Sequence, residues 1–375
     1  MATASKYRLI SADDHVDLSH DAVKKNLSPQ FHDDYDTAVA GWRASMARSE
    51  SAASNQSWRE QRGVTGGSPG RIASIAERKH PAAGRPGHTD ALARLADMDT
   101  DGVEASVTYC EVSAFRYLYL IKDGWREATR AFNQSLTDWA APAPDRLLIN
   151  FQIPIHDIDA AVAEVRLAAE TGCKSLQLPV FPVELGLPDY WDARYDPLFA
   201  VIQETGLPIC LHIGFNTQLE GLAQRDPTPQ KGIFVPCTAL SSAEALGMWV
   251  LTGVFARFPD LKVIFVEPGI GWVAWWLYIV DDMAARQGYD FPGLSEPPSH
   301  YFRRNVLLTF IDEPDVVRHA NDRIGIENIM WSSDYPHPVS SWPHSQEGAH
   351  RMFADVPEND RELILHGNAT RVWNL

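Results

Sequence analysis

Eight short runs of apolar residues recur along this chain of 375 residues. Most of them are aliphatic or β-branched and lack clean alternation with polar residues, which is typical of parallel strands covered on both faces. We therefore predict strands at residues 7–13, 103–109, 147–152, 174–179, 208–213, 262–267, 305–310 and 328–333.

Helical patterns lie between these runs, at residues 89–98, 125–141, 158–170, 197–205, 241–258, 270–286 and 315–323. Eight strands that alternate with helices predict a (β/α)₈ TIM barrel. A doubly wound open sheet is the alternative, but it usually carries a glycine-rich turn after its first strand, where this chain has Asp-Asp-His-Val-Asp.

Two stretches do not fit the alternation. A barrel of this kind needs roughly 250 residues, which leaves roughly a hundred or more for insertions. We predict a single domain over residues 1–375 with a lid-like insertion at about 18–88, whose middle is rich in Ser, Gly, Arg and Ala. A second insertion, at residues 216–238, is rich in proline.

The charge balance narrows the class of partners. With 33 basic and 49 acidic residues the net charge is −16, which argues against nucleic acid or an anionic membrane as partner. The longest apolar stretch, at residues 272–280, is too short to span a bilayer. The chain starts without the apolar core of a signal peptide, so we expect a cytoplasmic protein.

Three of the predicted strands end in carboxylates or histidines. Asp13 and His15 lie at the end of the first strand, His212 ends the fifth, and Asp334 ends the eighth. In a barrel the carboxyl ends of the strands form the active site, and residues two apart on a strand point the same way. Two oxygen and two nitrogen donors suit one Zn²⁺ or Mn²⁺ ion per chain.

Each of these residues also has a purely structural interpretation. The aspartates are common caps of turns, the histidines are common hydrogen-bonded core residues, and Glu267, at the end of the sixth strand, has Arg303 as a possible partner. Ionisable groups at separate strand ends share no structural reason to occur together, and buried charges are costly unless they are paired or bind metal. Their joint occurrence favours the metal site.

Four motifs carry a resemblance to a known family: Asp13-Asp14-His15, Leu207 to His212, Val266 to Trp272, and Ser333-Asp334-Tyr335-Pro336-His337-Pro338. Together they resemble the amidohydrolase superfamily, and within it the amidohydrolase-2 group. That group includes aminocarboxymuconate-semialdehyde decarboxylase and related aromatic-acid decarboxylases. Because the resemblance extends from the first strand to the end of the chain, it implies the same barrel and a homodimer.

The resemblance also implies one metal ion bound by Asp13, His15, His212 and Asp334. The chain departs from the group at two positions. Asp13 stands where the group often has His or Glu, which favours a harder metal. Glu267 stands where the decarboxylases of the group usually have a histidine that handles the proton.

Two enzymatic functions follow from this reading. The first is non-oxidative decarboxylation of an aromatic or unsaturated carboxylic acid, with Glu267 or His337 exchanging the proton. The alternative is hydrolysis of an amide, ester, lactone or carbon–carbon bond by a metal-activated water, with Glu267 or Asp334 as the base. A binding barrel without catalysis is a third possibility, which the complete ligand set argues against.

Two residues are candidates for binding the substrate. Trp272 follows Glu267 closely and is placed to wall a pocket for a planar substrate, although packing of the following helix is its alternative role. His156 follows the third strand and is either a substrate contact or a capping residue of its loop. The sequence singles out no arginine as the group that binds the substrate carboxylate.

Overall fold

The fold is an eight-stranded parallel barrel. The structure, a computed structural model, describes residues 6–52, 81–110, 113–214, 219, 221–222, 233–288, 291 and 293–375. Its strands are β1 Ile10–Val16, β2 Ala105–Cys110, β3 Leu147–Gln152, β4 Ser175–Gln177, β5 Ile209–His212, β6 Val263–Val266, β7 Val306–Phe310 and β8 Ile329–Trp331. Each strand pairs in parallel with the next one along the chain. The predicted fold class is confirmed and all eight predicted strands occur, although β1 runs from Ile10 to Val16 instead of over residues 7–13.

Two backbone hydrogen bonds join the ends of the sheet. The amide of His15 donates to the carbonyl of Tyr335 over 2.7 Å, and the amide of Asp334 donates to the carbonyl of Asp13 over 2.9 Å. Both bonds lie where β1 and β8 end. The sheet is therefore nearly closed, and the bonds that bring its edges together belong to the residues predicted to bind metal.

Helices surround the barrel. They are α1 His20–Asn26, α2 His32–Ala52, α3 Ala91–Asp101, α4 Ser113–Leu118, α5 Trp125–Ala140, α6 Ile158–Glu170, α7 Asp196–Thr205, α8 Phe234–Leu251, α9 Val254–Arg257, α10 Val273–Gln287, α11 Pro298–Asn305, α12 Pro314–Val317, α13 Ala320–Arg323, α14 Ser345–Met352, α15 Glu358–Glu362 and α16 Asn368–Trp373. Short 3₁₀ turns lie at Pro29–Phe31, Pro86–His88, Pro182–Leu185, Ala193–Tyr195 and Ile326–Asn328, and a π-helical turn, Leu363–Gly367, joins α15 to α16. None of the described helices has both the length and the apolar character needed to cross a membrane.

Two of the predicted helices are each divided in two. The pattern at 241–258 covers parts of α8 and α9, which are separated at Gly253, where φ is +81°. The pattern at 315–323 covers α12 and α13. A glycine in the left-handed region ends a helix readily because it has no Cβ to clash with the preceding turn.

The predicted insertion at 18–88 begins with ordered helices. Ser19 caps α1 by accepting a hydrogen bond from the amide of Ala22 over 3.1 Å, and Val23, Tyr35 and Val39 are buried against the barrel. Residues 53–80 of this insertion, and most of the second one, lie outside the described residues. The role of the first insertion as a lid therefore stays a prediction.

The last helix closes the amino-terminal end of the barrel. Trp373 and Ala369 of α16 belong to the same apolar cluster as the inward-facing side chains Ile10, Ile264 and Met330. Burying a side chain of this size stabilises the fold by about 1.5–3 kcal/mol. This helix thus covers the apolar interior at the amino-terminal end. The side chains of Asp13, His15 and His212 lie at the opposite, carboxyl end of the strands.

Gly124 offers a test of how α5 is joined to the insertion. It precedes α5 with φ at +72°, and a Cβ there would overlap the ring of Phe31. Gly172 has a similar φ of +76° but open space around it. We expect Gly124→Ala to lower the free energy of unfolding by about 2–5 kcal/mol, because it adds a clash to the backbone strain. Gly172→Ala, which carries the strain alone, should cost about 1–2 kcal/mol. Denaturant unfolding measures both, and equal losses would contradict the clash.

Candidate metal centre

The first strand supplies two fully buried donors, Asp13 and His15. β1 contains a bulge between Ser11 and Asp14, so that one extra residue of β1 lies opposite β2. Bulges commonly redirect side chains beside active sites. Here Nε2 of His15 lies 3.6 Å from Oδ1 of Asp13, and the two side chains converge at the carboxyl end of the barrel.

His212 meets them from the last position of β5. Its Nδ1 lies 2.7 Å from the carbonyl oxygen of Ile213. Because a carbonyl can only accept, Nδ1 carries the hydrogen, and the other ring nitrogen is left as a donor atom for a metal. This Nε2 lies 3.4 Å from Oδ1 of Asp13.

Asp334 and Glu267 occupy an unusual backbone conformation at the ends of β8 and β6. Their φ angles are +53° and +64°; the third described non-glycine residue with positive φ, Asn374, ends the last helix. Such conformations cost of order 1–3 kcal/mol each and cluster at functional sites. The amide of Glu267 donates to Oγ1 of Thr309 over 2.7 Å, which holds the strained turn in place.

Asp334 links the first-strand pair to His337. Its Oδ1 lies 3.0 Å from Nε2 of His15 and 2.9 Å from Nδ1 of His337, and the rings of the two histidines stack with centroids 3.8 Å apart. Oε2 of Glu267 lies 3.9 Å from Nε2 of His212. The structure therefore brings together all the residues predicted to bind metal and both residues predicted to exchange the proton.

Most of the oxygen and nitrogen atoms in this cluster that could bind a metal lack hydrogen bonds to the described residues. Both carboxylate oxygens of Asp13 and of Asp334, both ring nitrogens of His15, and Nε2 of His212 are buried without such a partner, since the short contacts of Oδ1 of Asp334 with the two histidine rings do not have the geometry of hydrogen bonds. Burying polar atoms unsatisfied costs roughly 1–3 kcal/mol each, and more for a charged group. Two overlapping sets, Asp13-His15-His212-Glu267 and His15-Glu267-Asp334-His337, each place their donor atoms within 4.8 Å of one another. These residues fit one divalent metal ion.

The pKa values of the ionisable groups in the cluster shift in opposite directions. Burial and the nearby charge of Asp334 raise the pKa of Glu267, whereas burial and the neighbouring His337 lower the pKa of His15. Burial alone would lower the pKa of His212, but Asp13 and Glu267 raise it to about 9. For Asp334 the two histidines outweigh burial and lower its pKa. Such divergent shifts in one cluster are characteristic of functional sites.

A buried hydrogen-bond network behind the cluster was not predicted. Oδ1 of Asp14 accepts from the hydroxyls of Ser11 over 2.9 Å and Ser333 over 2.6 Å, and from the amide of Tyr335 over 3.0 Å. Burial raises the pKa of this carboxyl to about 6. Asp14 thus connects β1 to the loop after β8 and holds the neighbouring ligands of both in register.

Arg94, fully buried on α3, completes this network. Its guanidinium donates to the carbonyls of His15 and of Gly87 and lies over the ring of Tyr335, with a distance of 4.5 Å to the ring centroid. The sequence places an arginine in a helical pattern here, which by itself reads as a solvent-exposed position. Only the three-dimensional structure brings it beneath the cluster.

The two predicted substrate-binding residues lie outside the cluster. The indole of Trp272 donates to the carbonyl of Pro268 over 2.9 Å, and His156 packs edge-on against Trp125 with ring centroids 4.1 Å apart. Their substrate roles stay predictions. A small pocket beside His212 is instead lined by Arg116 and Phe181, which the sequence had not singled out.

Comparison with known sequences identifies related proteins. A sequence model of the family described as Amidohydrolase matches residues 72–375. The chain is 24% identical over 306 residues to gamma-resorcylate decarboxylase of Rhizobium sp. (strain MTP-10005), which covers 75% of this chain and 86% of that protein. The family match begins after Asp13 and His15, so the structure alone places these two residues in the cluster.

Solved structures share the fold. The 5-carboxyvanillate decarboxylase of Sphingomonas paucimobilis superposes with a TM-score of 0.70 at 22% identity, covering 98% of this chain and 99% of that one. The 5-carboxyvanillate decarboxylase of Novosphingobium aromaticivorans, complexed with manganese and 4-hydroxy-3-methoxy-5-nitrobenzoic acid, gives a TM-score of 0.71 at 17% identity and covers 98% and 96% of the two chains.

The metal ligands can be tested by metal content. Protein purified without chelator should contain about one Zn²⁺ or Mn²⁺ per chain. We expect His212→Ala and Asp334→Ala to abolish its retention while circular dichroism stays close to that of the parent, since strand-end ligands contribute little to core packing. His344→Ala, at an exposed histidine, is the control and should retain the metal. A His212→Ala protein that unfolds yet keeps its metal would identify His212 as a core residue.

Proposed function

The chain belongs to the amidohydrolase family, and from this premise we propose that it is a metal-dependent decarboxylase of an aromatic carboxylic acid. The relatives named above support the reaction and the class of substrate, since decarboxylases of aromatic acids occur among both the sequence relatives and the structural neighbours. The barrel, the cluster of donors and the family agree on a reaction that proceeds at one metal ion.

The observation that carries the proposal is the division of the cluster into buried and open groups. The side chains of Asp13, His15 and Asp334 are 0% exposed and that of His212 is 2% exposed, whereas Glu267 and His337 are 21% and 24% exposed. The buried groups are suited to hold an ion. The two open groups are suited to exchange protons with a substrate and with solvent.

We propose that Asp13, His15, His212 and Asp334 hold a divalent ion, and their buried oxygens and nitrogens without hydrogen bonds to the described residues support this. When bound there, such an ion supplies positive charge that attracts the substrate carboxylate and an adjacent oxygen and stabilises developing negative charge. We propose Mn²⁺ ahead of Zn²⁺, because the cluster is rich in hard carboxylate oxygens and a structural neighbour was solved with manganese.

The chain's own residues would handle the proton. As the bond between the ring carbon and the carboxylate breaks, carbon dioxide leaves and the electron pair stays on the ring carbon. The carboxyl group of Glu267 donates a proton to that carbon and regains one from solvent. His337, 2.9 Å from Asp334, lies on the same open side and is the second candidate for this transfer.

Hydrolysis stays the alternative because a carboxylate occupies the position of Glu267. A carboxylate beside a metal ion is a competent base for water, and Asp334 could serve the same role. A homodimer, a cytoplasmic location and the absence of a nucleic-acid partner also stay predictions.

Product analysis separates the two reactions. Metal-loaded protein incubated with a panel of hydroxylated benzoic acids should release carbon dioxide in equal amount to the substrate lost. A matched panel of aryl esters, lactones and amides should be left intact. Turnover of the second panel without carbon dioxide release from the first would replace the decarboxylase with the hydrolase.

Glu267→Gln tests the proton donor. The substitution keeps the shape and an oxygen but removes the acid–base function, so we expect turnover to fall by roughly two to four orders of magnitude with the metal content unchanged. Glu347→Gln makes the same chemical change at an exposed position and serves as the control. Near-normal turnover would transfer the proton role to His337, and loss of the metal would make Glu267 a ligand.

A further inference from the structure

A second polar cleft lies at the opposite end of the barrel. Its volume is about 440 Å³, and it is bounded by the segments that lead into β5, β6, β7 and β8 and by α16. We call it the basal cleft. Ligand sites for small molecules are typically about 300–1,000 Å³ in volume, so the basal cleft is large enough for one.

Cations dominate its lining. Lys262 precedes β6, Arg303 and Arg304 end α11, and Arg371 lies on α16, whereas the acidic residues of the lining are Asp260 and Glu327. The cleft therefore has an excess of two positive charges in a chain whose net charge is −16. The acidic composition of the chain does not explain this local excess of positive charge.

Neutral groups hold these cations in place. Lys262 Nζ donates to the carbonyl of Arg304 over 2.5 Å, and the guanidinium of Arg304 donates to the side chain of Asn305 and the carbonyl of Phe255. Arg303 donates to the hydroxyl of Ser299 over 3.2 Å. Among the described residues these three cations form no ion pair with a carboxylate, so the contacts that orient them leave most of their charge available to an anion.

Arg371 differs from the other three cations because a carboxylate, that of Glu327, lies near it. Its guanidinium donates to the carbonyl of Glu327 over 2.8 Å and to the side chain of Asn368 over 3.1 Å, and its Nη1 forms an exposed ion pair with the carboxylate of Glu327 over 3.8 Å. At Lys262 burial is the main cause that lowers the pKa of the ammonium group; the charges of Arg371 and Arg304 act in the same direction, and Asp260 opposes them. A bound anion would relieve the repulsion among these cations.

We propose that the basal cleft binds a small multivalent oxyanion, with phosphate or carboxylate oxygens that accept from Lys262, Arg303, Arg304 and Arg371. Guanidinium groups bind such oxygens through paired, charge-assisted hydrogen bonds. Because the surrounding neutral contacts already order part of these side chains, less conformational entropy is lost on binding. The site is independent of the metal centre, which lies at the other end of the strands, and of the proposed decarboxylation.

Calorimetric titration of the metal-loaded protein with inorganic phosphate, at low ionic strength, tests the site. We expect saturable binding of about one anion per chain that weakens with added salt, whereas sodium chloride at matched ionic strength gives no saturable signal. Succinate in place of phosphate distinguishes carboxylate from phosphate preference. Absence of saturable binding for both anions at millimolar concentration would overturn the proposal.

Matched double variants locate the binding. Arg303→Gln with Arg371→Gln should weaken it by at least about tenfold, since each removes a hydrogen bond to a charged group. Arg166→Gln with Arg351→Gln makes the same change of net charge at exposed arginines elsewhere and should leave it nearly unchanged. If the first pair fails to fold, Lys262→Met is titrated instead. Binding that persists in the cleft variants belongs to the metal centre, and equal losses in both pairs reflect overall charge; either result contradicts the basal cleft.

Discussion

Several ionisable groups are buried close together at the carboxyl end of the barrel, and the rest of the structure depends on how their loss of contact with water is compensated. Asp13 and Asp334 are completely buried, and their carboxylate oxygens lack hydrogen bonds to the described residues. Such groups are costly to bury unless surrounding charges, hydrogen bonds or a metal ion compensate for their removal from water. One divalent cation resolves the problem, since it satisfies oxygen and nitrogen donors together and offsets two negative charges.

The barrel is closed by the same few residues that are predicted to bind the metal. The hydrogen bonds that bring β1 and β8 together are made by the backbone of Asp13, His15 and Asp334, whose side chains form the cluster. Asp14 and Arg94 strengthen that junction from behind by binding the hydroxyls, amide and carbonyls around it. The positions of Asp13, His15 and Asp334 are therefore set by the junction of β1 and β8, whose hydrogen bonds hold these predicted ligands in place.

The sequence predicts those parts of the structure that depend on local pattern. Buried parallel strands appear as apolar runs, and a charged residue at the end of such a run stands out, as His212 and Asp334 do. The sequence cannot separate neighbouring residues with different partners: Asp13 points into the cluster, whereas Asp14 bonds to Ser333, 319 positions away. The positions of Arg94 and Arg116 beside the site were not predicted for the same reason, because the residues that surround them come from segments distant in sequence. The split of the helix predicted at 241–258 had a local signal in Gly253, which the apolar pattern outweighed.

The two ends of the barrel have opposite electrostatic character. At the carboxyl end the strands and the loops after them present acids and histidines, of which Glu267 and His337 are partly exposed. At the amino end the segments before the strands present Lys262 and three arginines around a cleft. Between them lies the interior of the barrel, which combines the apolar cluster around Ile10, Ile264 and Trp373 with buried polar pairs such as Gln152 and Gln177. A bound anion at the amino end would influence the metal centre mainly through the strands that both sites share, because the basal cleft is lined by the segments that lead into β5, β6 and β8 and the cluster lies at the opposite ends of these strands.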